Sequence, residues 1–391
     1  MRVDKIQSIK DLCTGCMGCV DACPQKCVSK YVDVDGFIYT KVDSSKCIDC
    51  GKCVSVCPVF KLNKDMYRQS LFAAYAKDKY VHNRGSSGGV FEVIATYALD
   101  NGYYVCGAGF EGTQVKHKIV KNKNDLSILL KSKYVQSDTL GIYQSIKNLL
   151  ISGEKVLFSG TPCQVSALKN YLPDKYLKNI ILIDIVCHGV PSQKVFDMYI
   201  ESLEKKCGGK ISQFSFRVKD NIYKHSNGYR YTITKDGKSR IVNGVYSQSS
   251  FYNAFKNYLI LRESCYRCRY ATTERVSDIT LGDFWGIDRY DFDGDNDSGV
   301  SLVITNSSKG NALYKSIKEN LVSKEFSILH LNHCLIRDEV IPKSREKILN
   351  DLMNNGYEIT ARKYFRKNKI LKPLFWLLPI SVRKFLRNLR G

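Results

Sequence analysis

Sixteen cysteines stand in 391 residues, and half of them fall in two short blocks. Cys13-Thr14-Gly15-Cys16-Met17-Gly18-Cys19-Val20-Asp21-Ala22-Cys23-Pro24 is followed, 34 residues on, by Cys47-Ile48-Asp49-Cys50-Gly51-Lys52-Cys53-Val54-Ser55-Val56-Cys57-Pro58. Both read C-x2-C-x2-C-x3-C-P, a spacing that binds [4Fe–4S] clusters. Two intervening residues let one tight loop aim three thiolates at a common centre. Gly15, Gly18 and Gly51 permit the left-handed turns such wrapping needs. The fourth cysteine opens a short helix and points at the opposite centre. Cys13, Cys16, Cys19 and Cys57 therefore form one donor set, and Cys47, Cys50, Cys53 and Cys23 the other. Four-cysteine zinc sites use two separated pairs, a pattern the blocks do not follow.

Four of the remaining cysteines stand in turns. Cys163 and Cys187 each follow an apolar strand, where α/β sheets place ligands, and Cys265-Tyr266-Arg267-Cys268 is a C-x2-C loop. Four is the number a third cluster requires; a redox disulfide between Cys265 and Cys268 is the competing reading. Cys27, Cys106, Cys207 and Cys334 are read as structural or incidental. Ser86-Ser87-Gly88-Gly89, at a helix start, either offers hydroxyls and unhindered amides to an anion or is an ordinary cap. His188, beside Cys187, is either a proton donor or a hydrogen-bonded structural residue. The acidic loop Asp291-Phe292-Asp293-Gly294-Asp295-Asn296-Asp297 lacks the spacing glycine and closing Glu of a calcium loop and reads as a polar turn.

The elements that must position these groups follow from periodicity. Val32 to Val42 reads as a hairpin turning at Asp35-Gly36, closing a compact dicluster module over residues 1–65. From Leu71 onward strands and helices alternate. Strands are expected at Phe72–Ala76, Tyr103–Ala108, Lys155–Phe158 and Ile180–Val186. Helices are expected after Gly89, from Ile142, at Pro162 and from Pro191. That order argues for an α/β unit. After Gly208 the chain becomes β-rich, with a hairpin at Asp236-Gly237. A helix over Phe251–Leu261 and a strand over Ser277–Leu281 come next. The expected class is α+β: a dicluster ferredoxin fold followed by an α/β body.

Apolar residues make up 44% of the chain, enough for a sizeable core. The opening MRVDKIQSIKDL lacks the apolar run of a secretory leader, and no stretch is long enough to span a membrane. The expected setting is therefore the reducing cytoplasm, where cysteines hold metal rather than disulfides.

With these motifs assembled, the sequence resembles the coenzyme F-420 hydrogenase/dehydrogenase beta-subunit family, in its version with a fused dicluster ferredoxin. The likeness covers roughly residues 1–330. It rests on Ser86-Ser87-Gly88-Gly89-Val90-Phe91, Ser132-Lys133-Tyr134-Val135-Gln136-Ser137, Gly160-Thr161-Pro162-Cys163-Gln164, Cys187-His188-Gly189, Cys265-x2-Cys268 and Asp278-Ile279-Thr280-Leu281-Gly282-Asp283-Phe284-Trp285-Gly286. The resemblance implies an iron–sulfur flavoprotein oxidoreductase. Its body cluster would fall on Cys163, Cys187, Cys265 and Cys268. FAD would lie against Ser86, Ser87, Gly88, Gly89, Lys133, Tyr134, Gln136, Gly160 and Thr161. A flavin-binding region over 70–153 and a cluster-binding region over 154–330 follow from the same likeness. Lys133 would offset flavin or phosphate charge, His188 would supply a proton, and Trp285 would stack near the cofactor or fill core. The implied partners are an electron-donating or -accepting protein such as a ferredoxin and an unidentified small-molecule substrate. The other reading is a non-catalytic electron-transfer subunit of a larger complex.

The net charge of +22 is unevenly spread: residues 361–391 hold ten Lys and Arg and no Asp or Glu. Val382, Phe385, Leu386 and Leu389 recur there at helical spacing. This tail reads either as an interfacial amphipathic segment at the inner membrane face or as a helix docking on the body or a partner. No nucleic-acid recognition motif accompanies it.

Overall fold

The computed structural model describes residues 6, 8–62, 68–219, 228–292, 294–327, 333–335 and 341–365. The first cysteine block leads through helix α1 (Gly18–Asp21) into the antiparallel hairpin β1 (Val28–Val32) and β2 (Ile38–Val42). Gly36, at φ 84°, makes the turn between them. The second block carries α2 (Lys52–Ser55), which faces α1 across the module.

The body begins with β3 (Ser70–Ala76), α3 (Lys79–Arg84), α4 (Val90–Asp100), β4 (Tyr103–Glu111) and β5 (Gln114–Val120). It continues through α5 (Ile142–Ile151), β6 (Lys155–Gly160), α6 (Pro162–Tyr171), β7 (Ile180–Ile185) and α7 (Gln193–Cys207). A separate three-stranded antiparallel sheet follows: β8 (Lys210–Val218), β9 (Gly228–Lys235) and β10 (Lys238–Val245). The chain then returns through α8 (Ser250–Lys256), α9 (Glu263–Tyr266), β11 (Ile279–Asp283), β12 (Ser301–Thr305), α10 (Ser308–Ile317), β13 (Leu321–Phe326) and α11 (Arg345–Thr360).

Eight of these strands form one sheet in the order β13-β3-β12-β11-β7-β6-β4-β5. The central four, β11, β7, β6 and β4, run parallel. Strands buried on both faces read as unbroken apolar runs rather than alternations, and β6 and β7 are such runs. Alternate residues nonetheless serve opposite faces. Leu157, Ile181 and Ile183 pack with Ile94 and Ala98 of α4 and Tyr314 of α10. Val156, Phe158, Ile180 and Leu182 pack with Ile146 of α5 and Val165 and Leu168 of α6. Strands from residues 70–153 and 154–330 thus share one core.

The parallel arrangement brings the carboxyl ends of β6, β7 and β11 to one edge, where Cys163 stands in the first turn of α6, Cys187 in the loop after β7 and Asp283 at the end of β11. Two expected helices start or stop elsewhere. The one foreseen at Pro191 begins after Ser192, whose hydroxyl caps it by accepting from Val195 N–H at 3.3 Å. The one foreseen over 251–261 ends at Lys256, and Tyr258 turns left-handed at φ 59°.

Among the described residues no helix is long and apolar enough to cross a membrane. Most of the basic tail, residues 366–391, lies outside the described residues. Its first turn, Ala361–Phe365, continues α11 and buries Ala361 and Phe365. Asp293 of the acidic loop also lies outside them.

Candidate iron–sulfur and cofactor site

The repeat in the sequence is a repeat in backbone conformation. Gly15 and its counterpart Asp49 are left-handed (φ 65° and 51°), as are Met17 and its counterpart Gly51 (φ 57° and 74°). Gly18 differs from expectation: it is helical, and what it provides is proximity. A Cβ there would stand 3.4 Å from Ala167 and 3.5 Å from Tyr143 of the body.

These turns sort the eight thiols into two groups. Burial raises the Cys16 thiol to about 12, with Cys57 and Cys13 adding to it. Burial likewise raises Cys57 to about 11, with Cys13 beside it, and Cys19 feels Cys16, Cys13 and Cys57. The second group, Cys47, Cys50 and Cys53, lines a small cavity together with Cys23. Each fourth cysteine therefore crosses to the other block's loop. Cys50 is exposed, whereas Cys16 and Cys57 are buried.

The module is fastened to the body around its first cysteine loop. Arg262 donates to Cys13 O at 2.6 Å and to Gln136 Oε1 at 3.2 Å, with its guanidinium 4.3 Å from the Tyr39 ring centre. Gln136 donates to Thr14 O and Thr139 to Cys16 O. The Tyr270 hydroxyl donates to Pro58 O.

Behind this contact opens a cavity of about 420 Å3 at the carboxyl edge of the parallel strands. Cys163, Cys187, Cys265 and Cys268 all line it. Burial raises Cys163 and Cys265 to about 12, with the neighbouring Cys268 adding to the rise in each. Cys187 is raised further by burial together with Cys265, Cys163 and Cys268. Cys163 and Cys268 share a core cluster with Cys16 of the ferredoxin module. Among the described residues no three His, Cys, Asp or Glu side chains meet closely enough to hold a single ion. The thiols surround space, as ligands of a multi-atom cluster do. Ser264 Oγ and Arg262 Nη2, both on this cavity, are buried with no hydrogen-bond partner among the described residues. Donors left open beside thiolates suit cluster sulfur, which accepts such bonds, so the residues present fit a third [4Fe–4S] group.

The same cavity is lined by Ser86, Ser87, Gly89, Lys133, Tyr134, Gln136, Gly160 and Thr161, the last with its hydroxyl 3.1 Å from Cys163 Sγ. Gly89, left-handed at φ 79°, caps α4 without a side chain, so no cap side chain occupies the first-turn amides of this 11-residue helix, and Gly89, Val90 and Phe91 line the cavity. The serine hydroxyls are already engaged: Ser86 Oγ accepts from Ser132 N–H at 2.8 Å, and Ser87 donates to Val300 O. Gly88 does not line the cavity. Its N–H donates to Ser301, and a Cβ there would strike Ala74 O at 2.2 Å. Lys133 donates to Leu130 O at 2.7 Å; burial, then Lys131, lowers it to about 7. The Gly-rich turn, open amides and lysine fit a dinucleotide diphosphate.

His188 lines the cavity with Nε2 donating to Phe255 O at 3.1 Å, which leaves Nδ1 facing Cys334 Sγ at 3.7 Å. Its ring stacks on Tyr258, centres 4.0 Å apart. Trp285 lines the cavity while half exposed.

Two lining groups carry no mark in the sequence. Arg217, left-handed at φ 57°, makes a two-pronged pair with Asp283 at 2.7 and 2.9 Å and donates to Ser86 O. Burial opposes both charges, yet each partner holds the other ionised. The alternation Phe214, Phe216, Val218 along β8 hides an arginine that only the left-handed kink turns inward. His117, buried on β5, bridges Ser137 Oγ (2.7 Å) and Ser159 O (3.1 Å), and burial lowers it to about 4. Nothing local marks it out.

Residues 153–327 match the family described as the C terminus of the coenzyme F420 hydrogenase/dehydrogenase beta subunit, and residues 12–60 match the 4Fe-4S dicluster domain. Among solved structures, a chain of the F420-reducing [NiFe] hydrogenase complex from Methanosarcina barkeri aligns at 16% identity and a TM-score of 0.43, covering 77% of this chain and 94% of that one. No curated protein matches the sequence significantly.

Proposed function

We propose that this chain, which over residues 153–327 matches the C-terminal model of the coenzyme F420 hydrogenase/dehydrogenase beta subunit and ahead of it matches a 4Fe-4S dicluster domain, is a member of that family and a flavin-dependent oxidoreductase fed by three clusters. The observation that carries this reading is one cavity lined both by the four body cysteines and by the Gly89 turn and Lys133. When bound, [4Fe–4S] clusters supply single electrons and FAD exchanges them for a hydride.

The chain's own residues give that chemistry an order. Cys47, Cys50, Cys53 and Cys23 hold the outermost centre, open to solvent at Cys50, where a protein partner such as a ferredoxin exchanges electrons. Cys13, Cys16, Cys19 and Cys57 hold the next, and the Cys16 contact with Cys163 and Cys268 joins it to the body centre. The first turn of α4 and Lys133 hold the FAD diphosphate, with Tyr134, Gln136, Gly160 and Thr161 around the flavin. Arg217 and Asp283 fix the Ser86 turn. His188, fixed by Phe255 O and the Tyr258 ring, would hold a second proton at Nδ1 in its charged form and so supply the proton that the reduced acceptor takes up. The working divisions are a ferredoxin domain at 1–65, a flavin-binding region at 70–153 and a cluster-binding region at 154–330. A reducing cytoplasmic setting goes with this reading, since twelve cluster ligands must be kept from pairing as disulfides.

The test is turnover by the isolated chain, reconstituted with iron, sulfide and FAD. Reduced ferredoxin should drive steady reduction of an artificial two-electron acceptor, and Cys268→Ala should abolish it. No turnover in the fully loaded protein would favour a non-catalytic subunit instead.

A further inference from the structure

Five thiols, not four, line the outer ferredoxin cavity: Cys27 joins Cys23, Cys47, Cys50 and Cys53. Cys27 is 5% exposed, and its Sγ lies 3.4 Å from that of Cys23. It is also within hydrogen-bonding reach of Cys47. The chain is built to bring these sulfurs together. Lys26, left-handed at φ 51°, folds the backbone back after Pro24, and the Cys27 carbonyl is pinned by Asp43 N–H at 2.8 Å. A cysteine that merely filled core would not need to face two other thiols across a cavity. The repeat sharpens the point: 34 residues on from Cys27 stands Lys61, so the inner site has no such thiol at the equivalent position. The extra cysteine belongs to the cluster site whose ligand Cys50 is exposed.

We propose that Cys27 is a reserve ligand of the outer cluster, able to take the place of Cys23. This rests on the assignment of Cys23 to that cluster. In the exchange the iron–sulfur bond to Cys23 breaks, a bond to Cys27 Sγ forms, and the proton leaving Cys27 passes to Cys23. The iron keeps its oxidation state, so neither oxidant nor reductant is consumed. Thiolates are the binding form in both arrangements. The outer cluster thereby survives loss of its bond to Cys23.

The experiment compares full-length Cys27→Ala, Cys23→Ala, the double variant and Cys53→Ala, each purified anaerobically, by iron and acid-labile sulfide analysis and by electron paramagnetic resonance of the reduced protein. Cys27→Ala and Cys23→Ala should both keep the wild-type iron. The double variant and Cys53→Ala should each hold about four fewer iron atoms, one cluster's worth. Loss of about four iron from Cys23→Ala alone overturns the proposal, as does its failure to accumulate where Cys53→Ala is folded. Full iron in the double variant overturns instead the assignment of Cys23 on which the proposal rests.

Discussion

Lys133 stands where residue chemistry sets cofactor affinity. Its ammonium donates to Leu130 O on the cavity wall, and burial with Lys131 close by brings its pKa to about 7. A diphosphate bound there favours the charged form, so binding takes up a proton and affinity falls as pH rises through 7. FAD affinity, followed by flavin fluorescence, is expected to fall several-fold between pH 6 and 8.5, and Lys133→Met should flatten that slope. An unchanged slope in the variant would place the diphosphate elsewhere. At this scale the cysteines were legible because three ligands of a cluster lie within seven residues of one another. Gly88 misled because the atoms it presses on, Ala74 O and Ser301 N, come from strands distant in sequence. Its smallness serves sheet packing rather than a ligand. Arg217 stayed hidden because the partner that defines it, Asp283, is 66 residues away.

Helix α5 shows how elements of the two modules depend on each other. Gly141, left-handed at φ 78°, begins it without a side-chain cap of its own. The cap comes from Asp21 of the ferredoxin module, which accepts from Gly141 N–H at 2.9 Å, Tyr143 N–H at 3.1 Å and Gln144 N–H at 3.4 Å. A carboxylate at a helix start satisfies open amides and opposes the positive end of the dipole. Asp21→Ala should cost about 1–2 kcal/mol, read as a lower thermal midpoint with unchanged iron content; an unaltered midpoint would mean the contact contributes nothing. Strands β3, β4, β6 and β7 and helices α4 to α7 were readable from local periodicity, whereas α3 and β5 were not foreseen. The sheet order was not, because β3 inserts between β12 and β13 through pairings more than 200 residues apart in sequence. The helix foreseen over 251–261 was overdrawn because apolar Leu259–Leu261 serve the core after the left-handed turn at Tyr258.

At the scale of the molecule, the ferredoxin module docks through the loop that holds its inner cysteines, not through its outer face. Arg262, Gln136, Thr139 and Tyr270 all grip backbone carbonyls at or beside Cys13, Cys16 and Cys57. This leaves the Cys50 face exposed and turns the inner donor set toward Cys163 and Cys268. On the proposed assignment this gives a line of centres from surface to cavity, with the third set of thiols as its link. The most direct test is iron, acid-labile sulfide and flavin analysis of the anaerobically purified chain beside the double variant Cys265→Ala/Cys268→Ala. We expect about twelve iron and about one releasable flavin per wild-type chain, and about eight iron in the variant with the reduced ferredoxin-type resonance retained. About eight iron in both proteins, zinc in place of iron, or no flavin under reconstitution would contradict the account.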